Sequence, residues 1–157
     1  MLFFIPFFTE VVKVKLLTKE LEARFREVGR QEHVADPIVV CKFFDPLGSW
    51  TWYATEFDGR DFFGLVEGLE TELGYFSLEE LENIGKNSER HKMFHMGIER
   101  DILFQETTLE RIRARKEEDQ ERRENKQDEY DQEHPPPYDS QQPGEDYTDY
   151  LERMNHG

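Results

Sequence analysis

The first clear hydrophobic period in the chain begins at Leu16. Leu17, Leu21, Phe25 and Val28 recur at three- and four-residue intervals, the spacing of one helix face. Thr18 suits an N-cap and Gly29 a C-terminal stop, so the pattern predicts a helix over 16–28. Asp36-Pro37 marks a turn or strand entry, and beyond it the period changes. Residues 38–44 are β-branched and aromatic and read as a strand. A turn over 45–49 follows. Residues 50–57 and 62–69 read as two more strands, with a short fourth at 74–76.

Asp58-Gly59 is a strong hairpin signal, because a two-residue type I′ turn needs positive φ at both positions. Such a turn pairs Phe57 with Arg60, Thr55 with Phe62 and Tyr53 with Gly64. It places Tyr53, Thr55, Phe57, Phe62 and Gly64 on one face and Trp52, Ala54, Phe63 and Leu65 on the other. Ser77 then opens a second helix, with Glu80 completing a capping box three residues on. Gly85 is its expected end. Residues 86–98 read as a loop with one helical turn, and 98–104 as a last strand. The expected fold is α+β: a small antiparallel sheet of about four strands, with a helix before it and another after it.

The two ends differ from this centre. Residues 1–15 form an apolar extension, too short to cross a bilayer and without the basic start and cleavage site of a signal peptide. An added strand and an upstream extension both remain open for it. From Thr108 to Tyr130 the chain is rich in Glu, Arg, Lys and Gln, and only Leu109 and Ile112 offer an apolar stripe. A solvated single helix is expected there. The Pro135-Pro136-Pro137-Tyr138 run and its polar sequel read as disorder. Three segments result: 1–15, the folded domain 16–108, and a charged tail 109–157.

Charge narrows the function. The 157 residues carry a formal net charge of −15. The acidity is shared between centre and tail. Such a domain repels phosphate backbones, since nucleic-acid affinity comes largely from Lys and Arg. Direct nucleic-acid binding is therefore not expected. One cysteine, Cys41, excludes a disulfide scaffold and favours a reducing, cytoplasmic compartment. Within an apolar run it reads as an inert thiol rather than a nucleophile.

Several stretches carry a resemblance. They are Leu16–Leu21, with Leu-Leu-Thr-Lys-Glu-Leu; Asp36-Pro37; the Lys42-Phe43-Phe44 run; and the Trp50-Thr51-Trp52-Tyr53-Ala54-Thr55-Glu56-Phe57-Asp58-Gly59 stretch. Phe62-Phe63-Gly64-Leu65-Val66, the Leu73–Leu81 stretch and Ile98-Glu99-Arg100-Asp101 continue it. In these the chain resembles an uncharacterised bacterial family, a domain of unknown function carried on plasmids, conjugative elements and phages. The resemblance covers about ninety residues and leaves 1–15 and everything after about residue 108 outside. It implies a mobile-element setting and supplies no catalytic residues.

The residues themselves suggest three classes of chemistry. Trp50, Trp52, Tyr53, Phe62 and Phe63 surround the hairpin and form a candidate partner surface, since aromatic side chains dominate protein interfaces. Trp50 and Trp52 share a face, so one is expected inside and the other at a rim. Glu56, Asp58, Asp61, Glu99 and Asp101 would form a hard-cation site if the last strand paired near the hairpin. That arrangement would suit metal-dependent hydrolysis of a phosphodiester. His91 and His95 stand four apart, a zinc-like spacing, but lack the intervening Glu and a third strong ligand. Pro135–Tyr138 has the form of a WW-domain ligand. The expected function is a non-enzymatic accessory protein of a mobile element, acting on an unidentified host or element protein and serving counter-defence or element maintenance. No cofactor and no membrane contact are expected. The alternatives are a metal-dependent nuclease-like hydrolase and an acidic DNA mimic.

Overall fold

The computed structural model describes residues 14–134, together with Thr148, Glu152 and Asn155. The apolar start of the chain and the Pro-rich segment after His134 lie outside the described residues. The chain divides into two compact units, residues 1–111 and 112–157.

The first unit is α+β. Helix α1 (Lys19–Val28) starts at Thr18, whose hydroxyl accepts the Leu21 amide at 3.3 Å, and stops at Gly29, with φ 69°. The expected strand over 38–44 is two strands. β1 (Ile38–Val39) pairs with β7 (Thr107–Thr108), and β2 (Cys41–Phe44) enters the main sheet. Val40 stands between them and donates its amide to the Ala54 carbonyl.

The main sheet continues with β3 (Thr51–Phe57), β4 (Asp61–Glu67), β5 (Thr71–Ser77) and β6 (Glu99–Arg100). Its order is β5-β4-β3-β2-β6, with all neighbours antiparallel. The strand expected over 98–104 forms the edge beside β2 as β6. β5 spans seven residues rather than three, because β4 offers it an unbroken ladder from Asp61↔Ser77 to Glu67↔Thr71. β6 is shorter than expected. After Arg100, the Asp101 amide still reaches the Lys42 carbonyl, but the chain then turns and Asp101 Oδ1 accepts the Leu103 amide.

Helix α2 (Leu78–Asn87) carries the full capping box between Ser77 and Glu80. It runs through Gly85 instead of ending there. A Cβ at Gly85 would lie 2.8 Å from the Met96 carbonyl oxygen, so this glycine serves close packing rather than termination. The segment expected as a loop holds a second short helix, α3 (Glu89–Phe94), capped by Ser88.

The hydrophobic core lies between one sheet face and helices α1 and α2. Phe25 and Leu81 come from the helices; Phe43, Trp52, Ala54, Phe62 and Phe76 come from the sheet. Phe62 is its centre, with ring centroids 4.5 Å from Phe57, 5.2 Å from Phe43, 5.3 Å from Phe76 and 5.6 Å from Phe25. Burial of one such side chain contributes about 1.5–3 kcal/mol.

Helix α4 (Leu109–Glu133) begins in the first unit, where Leu109 is buried and the Glu110 amide donates to Asp36. In the second unit the described part of α4 is exposed from Arg113 onward. It is held by pairs such as Gln120–Glu124 and Gln127–Asp131, each 2.7 Å, and by Asp119–Arg122 at 3.3 Å. Among the described residues no helix is long and apolar enough to cross a membrane.

Candidate interaction surface

The β3–β4 hairpin decides which aromatics meet solvent. It does not have the two-residue register expected from Asp58-Gly59. Phe57 pairs with Phe62 and Glu56 with Phe63. A bulge follows at Thr55, beyond which Ala54 pairs with Gly64 and Tyr53 with Leu65. The turn is therefore longer. Asp58 Oδ1 accepts the amides of Arg60 and Asp61 at 2.9 and 2.8 Å, and Gly59 supplies φ 105°. The extra residue at a bulge shifts all later side chains by one step. Hence Trp52 and Ala54 share the helix-facing side with Phe57 and Phe62, while Tyr53, Phe63 and Leu65 stand on the other.

The five aromatics of the expected partner surface are split by this arrangement. Phe62 is fully buried in the core and Trp52 nearly so, and neither can meet a partner. Tyr53 is also buried, on the opposite face, with its ring 6.4 Å from Phe104. Phe63 is half-buried beside Tyr75, with centroids 4.9 Å apart. Trp50 is the rim residue: it is 40% exposed, stacks on Trp52 at 5.9 Å and lies over Gly68.

The surface left to solvent is the outer edge of the sheet. Leu69 in the β4–β5 turn is 96% exposed, Leu73 48% and Tyr75 75%. Among the described residues β5 pairs on one side only, with β4. The strand expected over 74–76 runs instead from Thr71 to Ser77. The signal was there in Thr71-Glu72-Leu73, which continues the alternation of Tyr75 and Phe76 toward the Glu70 turn.

The carboxylates proposed as a metal site are not brought together. Glu99 is paired with Phe44, which is level with Thr51 at the start of β3, whereas Glu56 is near its end. Asp101 is bridged to Lys42 at 3.3 Å. The strand expected to carry both ends after Arg100 and joins the sheet at β2, away from the hairpin. Glu56, Asp58 and Asp61 do line one hollow, of about 170 Å³, together with Arg26 and Arg30. Two of the three are already engaged there: Glu56 accepts the Gln31 amide at 2.9 Å, and Asp58 holds the turn. Those turn amides hold the Asp58 carboxyl below its ordinary range. Among the described residues no group of three or more His, Cys, Asp or Glu side chains is placed to hold a metal ion.

His91 and His95 also separate. His95 takes the left-handed conformation that ends α3, at φ 53°, and is exposed. His91 is buried, and its ring bridges Ser88 Oγ to Asp45 Oδ1, each contact 2.9 Å. With Asp45 ionised, Nε2 donates to the carboxylate and Nδ1 accepts from the Ser88 hydroxyl. The chain of groups is Ser–His–Asp, but Ser88 is the N-cap of α3 and the C-cap of α2. Asp45 Oδ1 in turn accepts the Leu47 amide at 2.8 Å. The three residues fasten helix α3 to the β2–β3 turn. Sequence spacing could not show this link, because Asp45 and His91 are 46 residues apart.

Burial pushes the Cys41 thiol up to about 12, which keeps it protonated and inert.

The family model described as "Protein of unknown function (DUF2958)" matches residues 16–130. The chain belongs to this family. The match begins at Leu16, where the first helical period begins, and continues through Tyr130. It thus takes in most of α4, which the resemblance had left outside. No curated protein and no solved structure matches the chain.

Proposed function

We propose that this chain is a non-enzymatic accessory protein of a mobile genetic element, working in the cytoplasm by binding a host or element protein through the outer rim of its sheet. The observation that carries the reading is the run of exposed apolar side chains along that rim: Leu69, Leu73 and Tyr75. Apolar and aromatic groups grouped at a surface mark interaction sites more often than scattered ones do. The dispersal of the five carboxylates and the structural use of Asp45, Ser88 and His91 support a binding role over hydrolysis. The mobile-element setting rests on the family resemblance. The reducing compartment is supported by the single, buried, unpaired Cys41.

The test is affinity capture of tagged full-length protein from a native host, alongside a Leu73→Lys/Tyr75→Lys double variant. Both side chains are exposed, so the variant should fold, which circular dichroism checks. A specific protein captured by the wild type and lost by the variant supports the reading. Equal capture by both would move the interface off this rim.

A further inference from the structure

The ladder between β4 and β5 fixes which backbone groups of β5 point away from the sheet. The Leu78 amide donates to the Arg60 carbonyl at one end, and the Gly68 amide to the Glu70 carbonyl at the other. Hydrogen-bonded and non-bonded pairs alternate along an antiparallel ladder. The bonded pairs between those ends are therefore Phe62↔Phe76, Gly64↔Gly74 and Val66↔Glu72. Thr71, Leu73 and Tyr75 turn their amides and carbonyls outward. Ser77 would continue the row, but its amide is taken by Glu80 Oε2 at 3.2 Å. Thr71, Leu73 and Tyr75 have no such closure among the described residues, and all three are exposed.

An open edge of this kind is a template for another strand. Its side chains state what that strand should carry. On one face stand Leu73 and Tyr75, beside Leu65 and Phe63. On the other stand Glu72 and the bare Gly74, where a Cβ would meet nothing within 4 Å. The β4–β5 hairpin holds the carboxylates Asp61, Glu67, Glu70 and Glu72 and no Lys, Arg or His. A second copy of β5 would bring a second, equally acidic hairpin to this edge, and like charges brought together destabilise a sheet.

We propose that β5 accepts an extended, basic segment of another protein as a sixth strand, with apolar side chains beside Leu73 and Tyr75 and Lys or Arg beside Glu72. This rests on the protein-binding reading and names its mode and the chemistry of its partner.

The experiment is amide hydrogen exchange by NMR on the full-length protein, with an acetylated and amidated ten-residue peptide alternating Val and Lys as probe. Exchange at Thr71, Leu73 and Tyr75 should slow about tenfold or more on binding. A matching Val–Glu peptide should leave them unchanged. Binding without slowing at these three amides overturns strand addition, as does equal slowing by the Val–Glu peptide. Slowing that grows with protein concentration and no peptide would assign the edge to a second copy and also overturn it. A captured native partner that leaves the three amides fast refutes the strand mode while the binding reading survives. Slowing by the Val–Lys peptide where no native partner is captured supports the edge and counts against the binding reading alone.

Discussion

Gly64 and Gly74 face each other across β4 and β5, yet only one of them is closed to a side chain. A Cβ at Gly64 would run into the Tyr53 carbonyl, next to the register shift between Ala54 and Glu56. A Cβ at Gly74 would meet nothing within 4 Å. Gly64→Ala should therefore destabilise by about 2 kcal/mol or more, the cost of forcing backbone apart in a packed sheet. Gly74→Ala should stay within about 0.5 kcal/mol of wild type. Urea denaturation of both variants checks this, and equal effects would contradict the close approach.

That register shift also marks the limit of what the sequence could tell. Helix α1, the capping box at Ser77 and the strands β3 and β4 follow from local period and capping chemistry, which act within a few residues. The register of the β3–β4 hairpin does not. Asp58-Gly59 named the turn correctly, but Asp58 bonds to two amides and lengthens it, and Thr55 is extruded beyond it. One residue of slip exchanges faces on β3: Trp52 and Ala54, expected opposite Phe62, share its core side, and Tyr53 stands on the other. The candidate metal site failed for a related reason. It required the last strand to meet the hairpin, and β6 meets β2. That β5 lies at the edge of the sheet, and that Asp45 meets His91, depend on long-range placement, to which single-sequence period is blind.

The Asp45–His91 link should be a stability element. Their side chains are 12% and 7% exposed, with the ring also bonded to Ser88. His91→Ala leaves a buried carboxylate with one partner fewer and should cost about 1–3 kcal/mol. Ser88→Ala should cost about 1 kcal/mol, through the lost cap. Because both act on one network, the double variant should cost less than the sum of the two. Thermal denaturation measures all three, and strict additivity would argue that Ser88 and His91 act independently.

Alkaline pH should weaken the fold. Burial raises the Cys41 thiol from 9.0 to about 12, and burial also raises the Tyr53 phenol above its ordinary 10.0. In the unfolded chain both groups lose protons earlier than in the folded one. Their stabilising contribution is complete below pH 9.0 and is lost as pH rises toward 12. Cys41→Ala should flatten part of this slope between pH 9 and about 12 while lowering overall stability through the cavity it leaves. The native thiol should also resist a thiol reagent at pH 8 until denaturant is added. Prompt labelling of the folded protein would contradict the buried placement.

Asp58 predicts the opposite sign at the acid end. Its carboxyl is held below 3.8 by the turn amides of Asp61 and Arg60, so its contribution is present above that value and lost as pH falls through the folded pKa. Asp58→Ala should be less stable than wild type at pH 6, and the gap should narrow toward pH 3. The same variant tests the metal reading. Because Asp58 is engaged in the turn, millimolar Mn²⁺ should leave the melting temperature of the wild type unchanged, since only a ligand that binds the native state raises it. A rise with Mn²⁺ that disappears in Asp58→Ala would restore the hollow at Glu56, Asp58 and Asp61 as a cation site.

Salt and the β5 edge together separate a protein-binding module from an acidic DNA mimic. A mimic works through summed charge, here −15, so its complexes weaken steeply with ionic strength and tolerate loss of one apolar contact. Strand addition works through backbone hydrogen bonds and apolar contact at Leu73 and Tyr75, with charge adding partner choice. Leu73→Lys should therefore weaken a captured partner about tenfold or more at any salt concentration, as expected for an interface anchor. Glu72→Gln should reduce mainly the salt dependence. Titration of the purified partner at low and high salt reads both effects. A complex indifferent to Leu73→Lys and abolished by salt alone would favour the mimic.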